Sequence, residues 1–278
     1  MISVIIPTYR NPAYLDLCLK SATENSVADG TEIIVIIDGF VDESMSIVEK
    51  YPGVNVLPLA DNRGMQYALN IGVMQATNEW IFVINDDNVF GVAWDSQLEN
   101  LLTKEYTANV SNTVFTINQV EPSPSMFNFV TRDFGRTAET FRYDEWLVAE
   151  AELINESYFS SAGRIFPFLM TKKWYMAVGG FDTIYDSPFW CDCDFFLKLE
   201  ITNQLQFLRY SGIHLYHFGG TATKTRKDAD ALMFQQSESP AAQMFGYKWG
   251  FIPNLAEAVQ RDNSKLPLDN SVKGVIFR

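Results

Sequence analysis

The chain has 278 residues, 47% of them hydrophobic, which is enough apolar material for one large domain or one domain with an extension. Its 21 Lys and Arg against 34 Asp and Glu give a formal net charge of −13, which argues against non-specific binding to nucleic acid or to an anionic membrane surface. No apolar run approaches the roughly 20 residues of a membrane span, no basic and apolar leader precedes the first strand, and three cysteines do not make a disulfide framework. The expectation is a soluble, cytoplasmic protein of a reducing compartment.

The first hundred residues alternate strand and helix signals. Ile2-Ser3-Val4-Ile5-Ile6 reads as a strand closed by Pro7. Asn11 is a good N-cap with Pro12 at the first helical position, and Leu15, Cys18, Leu19 and Ala22 mark one helical face. Ile33–Ile37 is a second strand that ends at Asp38-Gly39. Asp42 caps a helix running to about Tyr51, and Val54–Leu59 is a third strand. Met65, Ala68, Leu69, Gly72, Val73 and Ala76 repeat at helical spacing, and the short apolar run Trp80–Ile84 has the length and composition of a buried parallel strand. Such alternation predicts βαβ units: an α/β protein with a mostly parallel central sheet flanked by helices.

The middle of the chain is less regular. From Ser111 to Phe141 it is rich in Thr, Asn, Ser, Pro and Phe with no sustained period, so short strands or a long irregular segment are expected. Trp146–Ile154 and Cys191–Ile201 read as helices, and a polar tail from Lys224 holds a predicted helix at about residues 228–236. The predicted organisation is an α/β half over 1–100, a smaller mixed catalytic and acceptor-side half of the same domain over 101–222, and a C-terminal lid or extension over 223–278.

Asp86-Asp87-Asn88 is the triplet that bears most on function. It follows the fourth strand directly, so two carboxylates emerge at the strand's carboxyl end, where open α/β sheets bind ligands. Paired oxygen ligands there suit Mg²⁺ or Mn²⁺ carrying a diphosphate. On residue type alone, a solvated acidic turn competes with that reading.

Several landmarks in order resemble the family 2 glycosyltransferases with the GT-A, nucleotide-diphospho-sugar-transferase fold, over roughly residues 1–220. They are Ile5-Ile6-Pro7-Thr8-Tyr9, Ile34–Gly39, Asn62-Arg63-Gly64 with Ala68, Asn70 and Gly72, the Asp86-Asp87-Asn88 triplet, Gly179-Gly180-Phe181-Asp182, Cys191-Asp192-Cys193-Asp194 and His217-Phe218-Gly219-Gly220. Two positions depart from that pattern: Ile37 stands where the family often has a first acid, and Cys191 where it has a Glu.

The resemblance implies a metal-dependent, inverting transfer of a sugar from a nucleoside-diphosphate donor, a UDP-sugar by preference, to a hydroxyl of a carbohydrate or glycoconjugate. It implies Mn²⁺ or Mg²⁺ on Asp87 and His217, with Asn88 as the third-position substitute and Asp86 turned to the ribose or a water. It places Pro7, Thr8, Tyr9, Arg10, Asp38 and Arg63 around the nucleotide, and makes Asp192 the general base. Asp194 and Trp190 then fall to the acceptor, Trp190 by stacking on a sugar face.

Each of these residues has a plainer reading. Asp38 is a turn acid, Arg63 a surface arginine, and Asp192 and Asp194 are acids favoured by a helix N-terminus. His217 is a hydrogen-bonded residue at a strand end. His214, three residues earlier, faces the other side and reads as structural. Cys191 and Cys193, without further ligands, read as small buried thiols rather than a zinc site. Lys224, Arg226 and Lys227 read equally as a lid over the diphosphate or as a solvated charge run.

Two enzyme classes with similar cores fit less well. Sugar nucleotidyltransferases and dinucleotide-dependent oxidoreductases need a glycine-rich turn after the first strand, and this turn, Pro7-Thr8-Tyr9-Arg10-Asn11, has no glycine. A catalytically inactive protein of the same fold that binds nucleotide or carbohydrate is the remaining alternative.

Overall fold

The computed structural model describes residues 1–105, 109–125, 127, 129–154, 159–160, 163–185, 188–219 and 236–252. The chain opens with strand β1 (Ile2–Thr8), helix α1 (Pro12–Glu24), β2 (Glu32–Asp38), α2 (Val41–Val48), β3 (Asn55–Leu59), α3 (Met65–Gln75) and β4 (Trp80–Val83). These four strands lie in the order β3-β2-β1-β4 and all run parallel.

Every residue of β1 is buried, as a parallel strand covered on both faces requires. Alternate side chains go to opposite layers. Ile5, Ile34 and Ile36 meet Ala68, Leu69 and Val73 of α3, while Val4, Ile6, Val35 and Ile37 meet Leu15, Cys18, Leu19 and Ala22 of α1. Gly72 lets α3 lie close to the sheet, because a Cβ there would stand 2.7 Å from Ile5 Cγ2.

After β4 come β5 (Asn88–Phe90), α4 (Trp94–Asn100), β6 (Thr113–Glu121), β7 (Val130–Thr131), α5 (Tyr143–Leu153), β8 (Phe159–Ser160) and β9 (Phe168–Thr171). Then follow α6 (Lys172–Ala177), α7 (Cys191–Ile201), β10 (Gln206–His217) and α8 (Glu238–Trp249). The sheet continues β4-β9-β6-β10-β5, with β7 beside β6 and β8 beside β10. Strand β9 is antiparallel to both β4 and β6, so β6 and its parallel neighbour β10 recover the direction of β1. Strand β5 is antiparallel to β10. Among the described residues, both predicted halves thus contribute to one ten-stranded sheet.

Two elements depart from the sequence reading. The segment expected to hold short strands or a long irregular stretch holds β6, a longer strand of nine residues buried at every position. Its Thr, Asn and Gln residues hide the strand pattern, and some of their polar groups find partners inside: Thr116 Oγ1 donates to the Ile165 carbonyl, and Asn118 Nδ2 lies 3.2 Å from His214 Nε2. The other departure is α8 in the polar tail. Of the helix predicted at 228–236, only residue 236 is described.

Helix α8 is held by a buried polar cluster. Lys248 Nζ stands 2.6 Å from Asp194 Oδ1 and 2.7 Å from Asp182 Oδ2. Trp249 Nε1–H and the Tyr185 hydroxyl both donate to Asp194 Oδ1, at 2.8 and 3.1 Å. Phe245 packs on Trp190, 5.3 Å between ring centroids. The cluster ties α8 to the first turn of α7.

Replacing Lys248 with Met would take the nearest cation from the buried Asp194 carboxylate and leave only Lys198 Nζ, at 3.8 Å. Breaking a buried pair from one side costs about 3 kcal/mol, so urea denaturation of Lys248→Met is expected to show a loss of that order. A change below about 0.5 kcal/mol, the usual range of surface substitutions, would refute the anchor.

Candidate active site

Because β1, β2, β4, β6 and β10 all run the same way, their carboxyl ends share one edge of the sheet. Thr8, Asp38, the Asp86-Asp87 pair, Glu121 and His217 end or directly follow those strands, so this edge gathers four acids and one histidine. Ligands bind at such an edge in open α/β sheets.

Asp86 closes the gap between β4 and β1. Its Oδ2 accepts from Thr8 Oγ1 at 2.7 Å and its Oδ1 from Asn11 Nδ2 at 3.0 Å. Asn11 therefore spends its side chain on Asp86 and makes no capping hydrogen bond to α1. Burial, then the neighbouring Asp87 charge, push the Asp86 carboxyl up to about 7, against the two hydrogen bonds that favour its ionised form.

Asp87 faces His217, with 3.5 Å between Oδ1 and Nε2. The other ring nitrogen, Nδ1, stands 2.7 Å from Glu121 Oε1. Strand register brings the three together. Tyr216 pairs with Val120, which sets His217 beside Glu121, and His217 itself pairs with Asn88, the residue after Asp87. A bulge in β10 fixes this register: Tyr210 pairs with Ile117 and His214 with the next residue, Asn118, so Ser211, Gly212 and Ile213 are extra on the β10 side. Glu121 was not singled out in the sequence. Its signal was available, since it ends a strand just before Pro122, much as Asp38 ends β2.

Asn88 corrects one expectation. It is fully buried, its Oδ1 accepts from the Asn85 amide at 3.2 Å, and its Nδ2 donates to the Tyr216 carbonyl at 3.5 Å. It holds the acidic turn against β10 rather than presenting a ligand.

Asp38 also turns inward. Its two oxygens accept the backbone amides of Arg63 at 2.6 Å and Gly64 at 2.9 Å, and it is buried. Its carboxylate is committed to the loop before α3, which is the turn-acid reading rather than direct contact with a base. Gly39, at φ 81°, lies so close to this loop that a Cβ would meet the Asn62 amide nitrogen at 2.8 Å. Arg63, on that loop, is exposed, its guanidinium 4.8 Å from the Tyr67 ring centroid.

Pro7 lies within buried β1, opposite Ile36. Tyr9 and Arg10 follow it and converge on Phe40: Tyr9 edge-on at 5.7 Å, and the Arg10 guanidinium over the ring at 3.8 Å. Arg10 and Phe40 both adopt left-handed backbone, with φ 52° each, and half the Phe40 surface is exposed.

Asp192 sits in the first turn of α7, where its Oδ1 accepts the Cys193 amide at 2.8 Å. Burial pushes its carboxyl above the usual range, against that hydrogen bond. Asp194 and Trp190 do not match their predicted acceptor roles. Asp194 is wholly buried and engaged by Lys248, Trp249 and Tyr185, and Trp190 is buried against Phe245. The three cysteines are free and buried, and the Cys191 thiol donates to the Pro188 carbonyl. Burial pushes the His214 ring down to about 4, so it is neutral inside the sheet. Lys224, Arg226 and Lys227 lie outside the described residues.

An oxygen donor on Asp87 and an imidazole nitrogen on His217 form a donor pair suited to Mg²⁺ or Mn²⁺. Among the described residues, no group of three or more His, Cys, Asp and Glu could hold a metal ion. No helix among them is long and apolar enough to cross a membrane.

A mostly parallel α/β sheet with paired acids after its fourth strand defines a GT-A-type fold, and the chain superposes on members of that class. It covers 92% of itself and 76% of a crystal structure of S. aureus TarS residues 1–349 in complex with UDP, with a TM-score of 0.55 and 15% identity. The family model of Glycosyl transferase family 2 matches residues 3–165, and the chain belongs to that family. The match takes in Thr8, Asp38, Asp86, Asp87 and Glu121 and ends before Asp192 and His217. Among curated relatives, glycosyltransferase GlyG of Streptococcus pneumoniae is 25% identical over 182 residues, 62% of this chain and 57% of GlyG. The uncharacterized glycosyltransferase YibD of Escherichia coli is 35% identical over 100 residues, 34% of this chain and 28% of YibD. The chain thus accounts for only part of the length of these relatives.

The raised Asp86 carboxyl has a stability consequence. The unfolded chain releases this proton near pH 4 and the folded chain near 7, so folding stability falls as pH rises between those values. In chelator-containing buffer, Asp86→Asn removes that step. Its melting temperature relative to the unsubstituted protein is expected to rise from pH 4 to pH 8, by roughly 2–4 °C per kcal/mol recovered. A difference that stays flat across this range in calorimetry would refute the assignment.

Proposed function

We propose that the protein is a metal-dependent inverting glycosyltransferase that moves a sugar from a nucleoside-diphosphate donor, best a UDP-sugar, to a hydroxyl of a carbohydrate or glycoconjugate. The observation that carries this reading is the facing pair Asp87 and His217 beside Asp86, on the sheet edge where the strands end. Family membership and the fold shared with UDP-complexed TarS support a nucleotide-sugar donor.

Asp87 and His217 would hold Mn²⁺ or Mg²⁺, which supplies a Lewis acid for the charge that develops on the departing diphosphate. Two protein donors suit this task, because such ions keep several positions for phosphate oxygens and water. Thr8 and Asn11 fix Asp86 next to the donors, and Asp38 shapes the loop that carries Arg63 toward the nucleotide. Arg10, Tyr9 and Phe40 form the wall that the base and ribose meet, a polarisable surface suited to stacking.

Asp192 acts as the general base. Its burial makes the carboxylate a better proton acceptor than a solvated one. It takes the acceptor hydroxyl proton as the oxygen attacks the anomeric carbon and the bond to the diphosphate breaks. No enzyme nucleophile enters this single displacement, so configuration inverts. Asp194 holds α7 in place, through α8, rather than binding acceptor.

Two variants separate the roles. Thermal shift with a UDP-sugar panel, with and without Mn²⁺, reads donor binding, since a ligand of the folded state stabilises it. Asp87→Ala is expected to lose the Mn²⁺-dependent part of that shift. Asp192→Asn is expected to keep it, yet to lower Mn²⁺-dependent hydrolysis of the donor about 10²–10⁴-fold, the usual weight of a general base. Near-normal turnover by Asp192→Asn would sink the base assignment, and absence of any donor shift in the unsubstituted protein would sink the enzyme reading.

A further inference from the structure

The acid at the end of β6 has no part in the scheme above, and its geometry gives it one. Glu121 is buried, and its Oε1 stands 2.7 Å from His217 Nδ1, while His217 Nε2 points to Asp87 Oδ1 at 3.5 Å. The imidazole is thus bracketed by two carboxylates, one from the end of β6 and one from the turn before β5, at different distances. The shorter contact is at hydrogen-bond distance, and a carboxylate can only accept there, which needs a proton on Nδ1.

We propose that Glu121 is the positioning residue for His217: its carboxylate accepts a hydrogen bond from Nδ1–H, which keeps the proton on Nδ1 and so fixes the tautomer that turns an Nε2 lone pair toward Asp87. The inference rests on the metal reading of Asp87 and His217 and deepens it. A histidine ligates a metal only through an unprotonated nitrogen, and which nitrogen that is follows from the hydrogen bond the other one makes. Carboxylates in this position orient the ring and raise its basicity.

The backbone makes the arrangement specific. Parallel pairing of β6 with β10, after the bulge at Ser211–Ile213, puts residue 121 beside residue 217. The backbone around Glu121 is also held, since the Arg132 amide donates to its carbonyl at 3.0 Å. A bonded acid on a buried strand end orients the imidazole more firmly than one on a loop.

Two measurements test this. Nitrogen-15 NMR of the histidine ring, in metal-free protein at pH 9, reads the tautomer directly. The expected result is Nδ1–H in the unsubstituted protein and a shift toward Nε2–H in Glu121→Gln, whose amide can donate to Nδ1 instead. An Nε2–H ring in the unsubstituted protein, a ring still doubly protonated at pH 9, or a tautomer balance unmoved by Glu121→Gln would each overturn the proposal.

The second measurement is Mn²⁺ binding in the presence of UDP, followed by loss of the free Mn²⁺ electron paramagnetic resonance signal. Glu121→Gln is expected to weaken it about 10–100-fold, with the fold checked by circular dichroism. If that variant does not fold, Glu121→Asp, which keeps the charge on a shorter stem, is expected to weaken Mn²⁺ binding by a smaller factor. Unchanged Mn²⁺ affinity in the variant, with binding intact in the unsubstituted protein, overturns the inference and leaves the metal reading standing. A tautomer that moves while the unsubstituted protein binds no Mn²⁺ with UDP overturns the metal reading and upholds the hold of Glu121 on His217.

Discussion

The register of β10 between β6 and β5 is the constraint on which the candidate site depends. Side chains alternate along a strand, so a slip of one residue would carry His217 to the opposite face and bring its neighbour in its place. The bulge at Ser211–Ile213 settles the register. It lets β10 pair with β6 at Tyr210 and again at His214, although one partner step corresponds to four on β10. Gly212 belongs to this device, since a Cβ there would run into the Tyr210 ring. Glu121 and His217 then meet on adjacent strands, and the turn that carries Asp87 is brought beside them by the pairing of Asn88 with His217.

The acids at the sheet edge divide by what they bond. Asp38 and Asp86 are tied within the protein, the first to two backbone amides and the second to Thr8 and Asn11. They pin the loops after β2 and β4. Asp87 and His217 face one another at 3.5 Å, and the pairing of Asn88 with His217 sets that approach. Burial, and after it the neighbouring Asp87 charge, raises the Asp86 carboxyl, and a cation beside these groups would favour its ionised form.

The buried Asp194 cluster gives the far side of the sheet its own anchor. Lys248 and Trp249 reach from α8 to the first turn of α7, two residues from Asp192. The polar tail is therefore part of the packing around the proposed base. Its apolar residues, Ala241, Phe245 and Trp249, are spaced on one face of α8 and join the same core as Ile5 and Phe168.

Much of this protein could be read from its sequence. Strong apolar runs determined β1, β2 and β4, helical spacing determined α1 and α3, and the order of short motifs determined the family, because these signals are local. Cys191–Ile201 forms a helix over the range predicted for it. The extent of β6 was not legible because its polar residues meet partners far along the chain, such as His214 for Asn118. The same cause separates the acids. Asp38, Asp86, Asp87, Asp192 and Asp194 look alike as residue types, and only their neighbours in space distinguish the acids bonded to backbone amides or to side chains of the first turn from the one that faces His217 and the one buried against Lys248. Glu121 and His217 are 96 residues apart and Asp87 a further 34 upstream, so their meeting was decided by strand order and register, which arise from long-range pairing and have no local signature in the sequence.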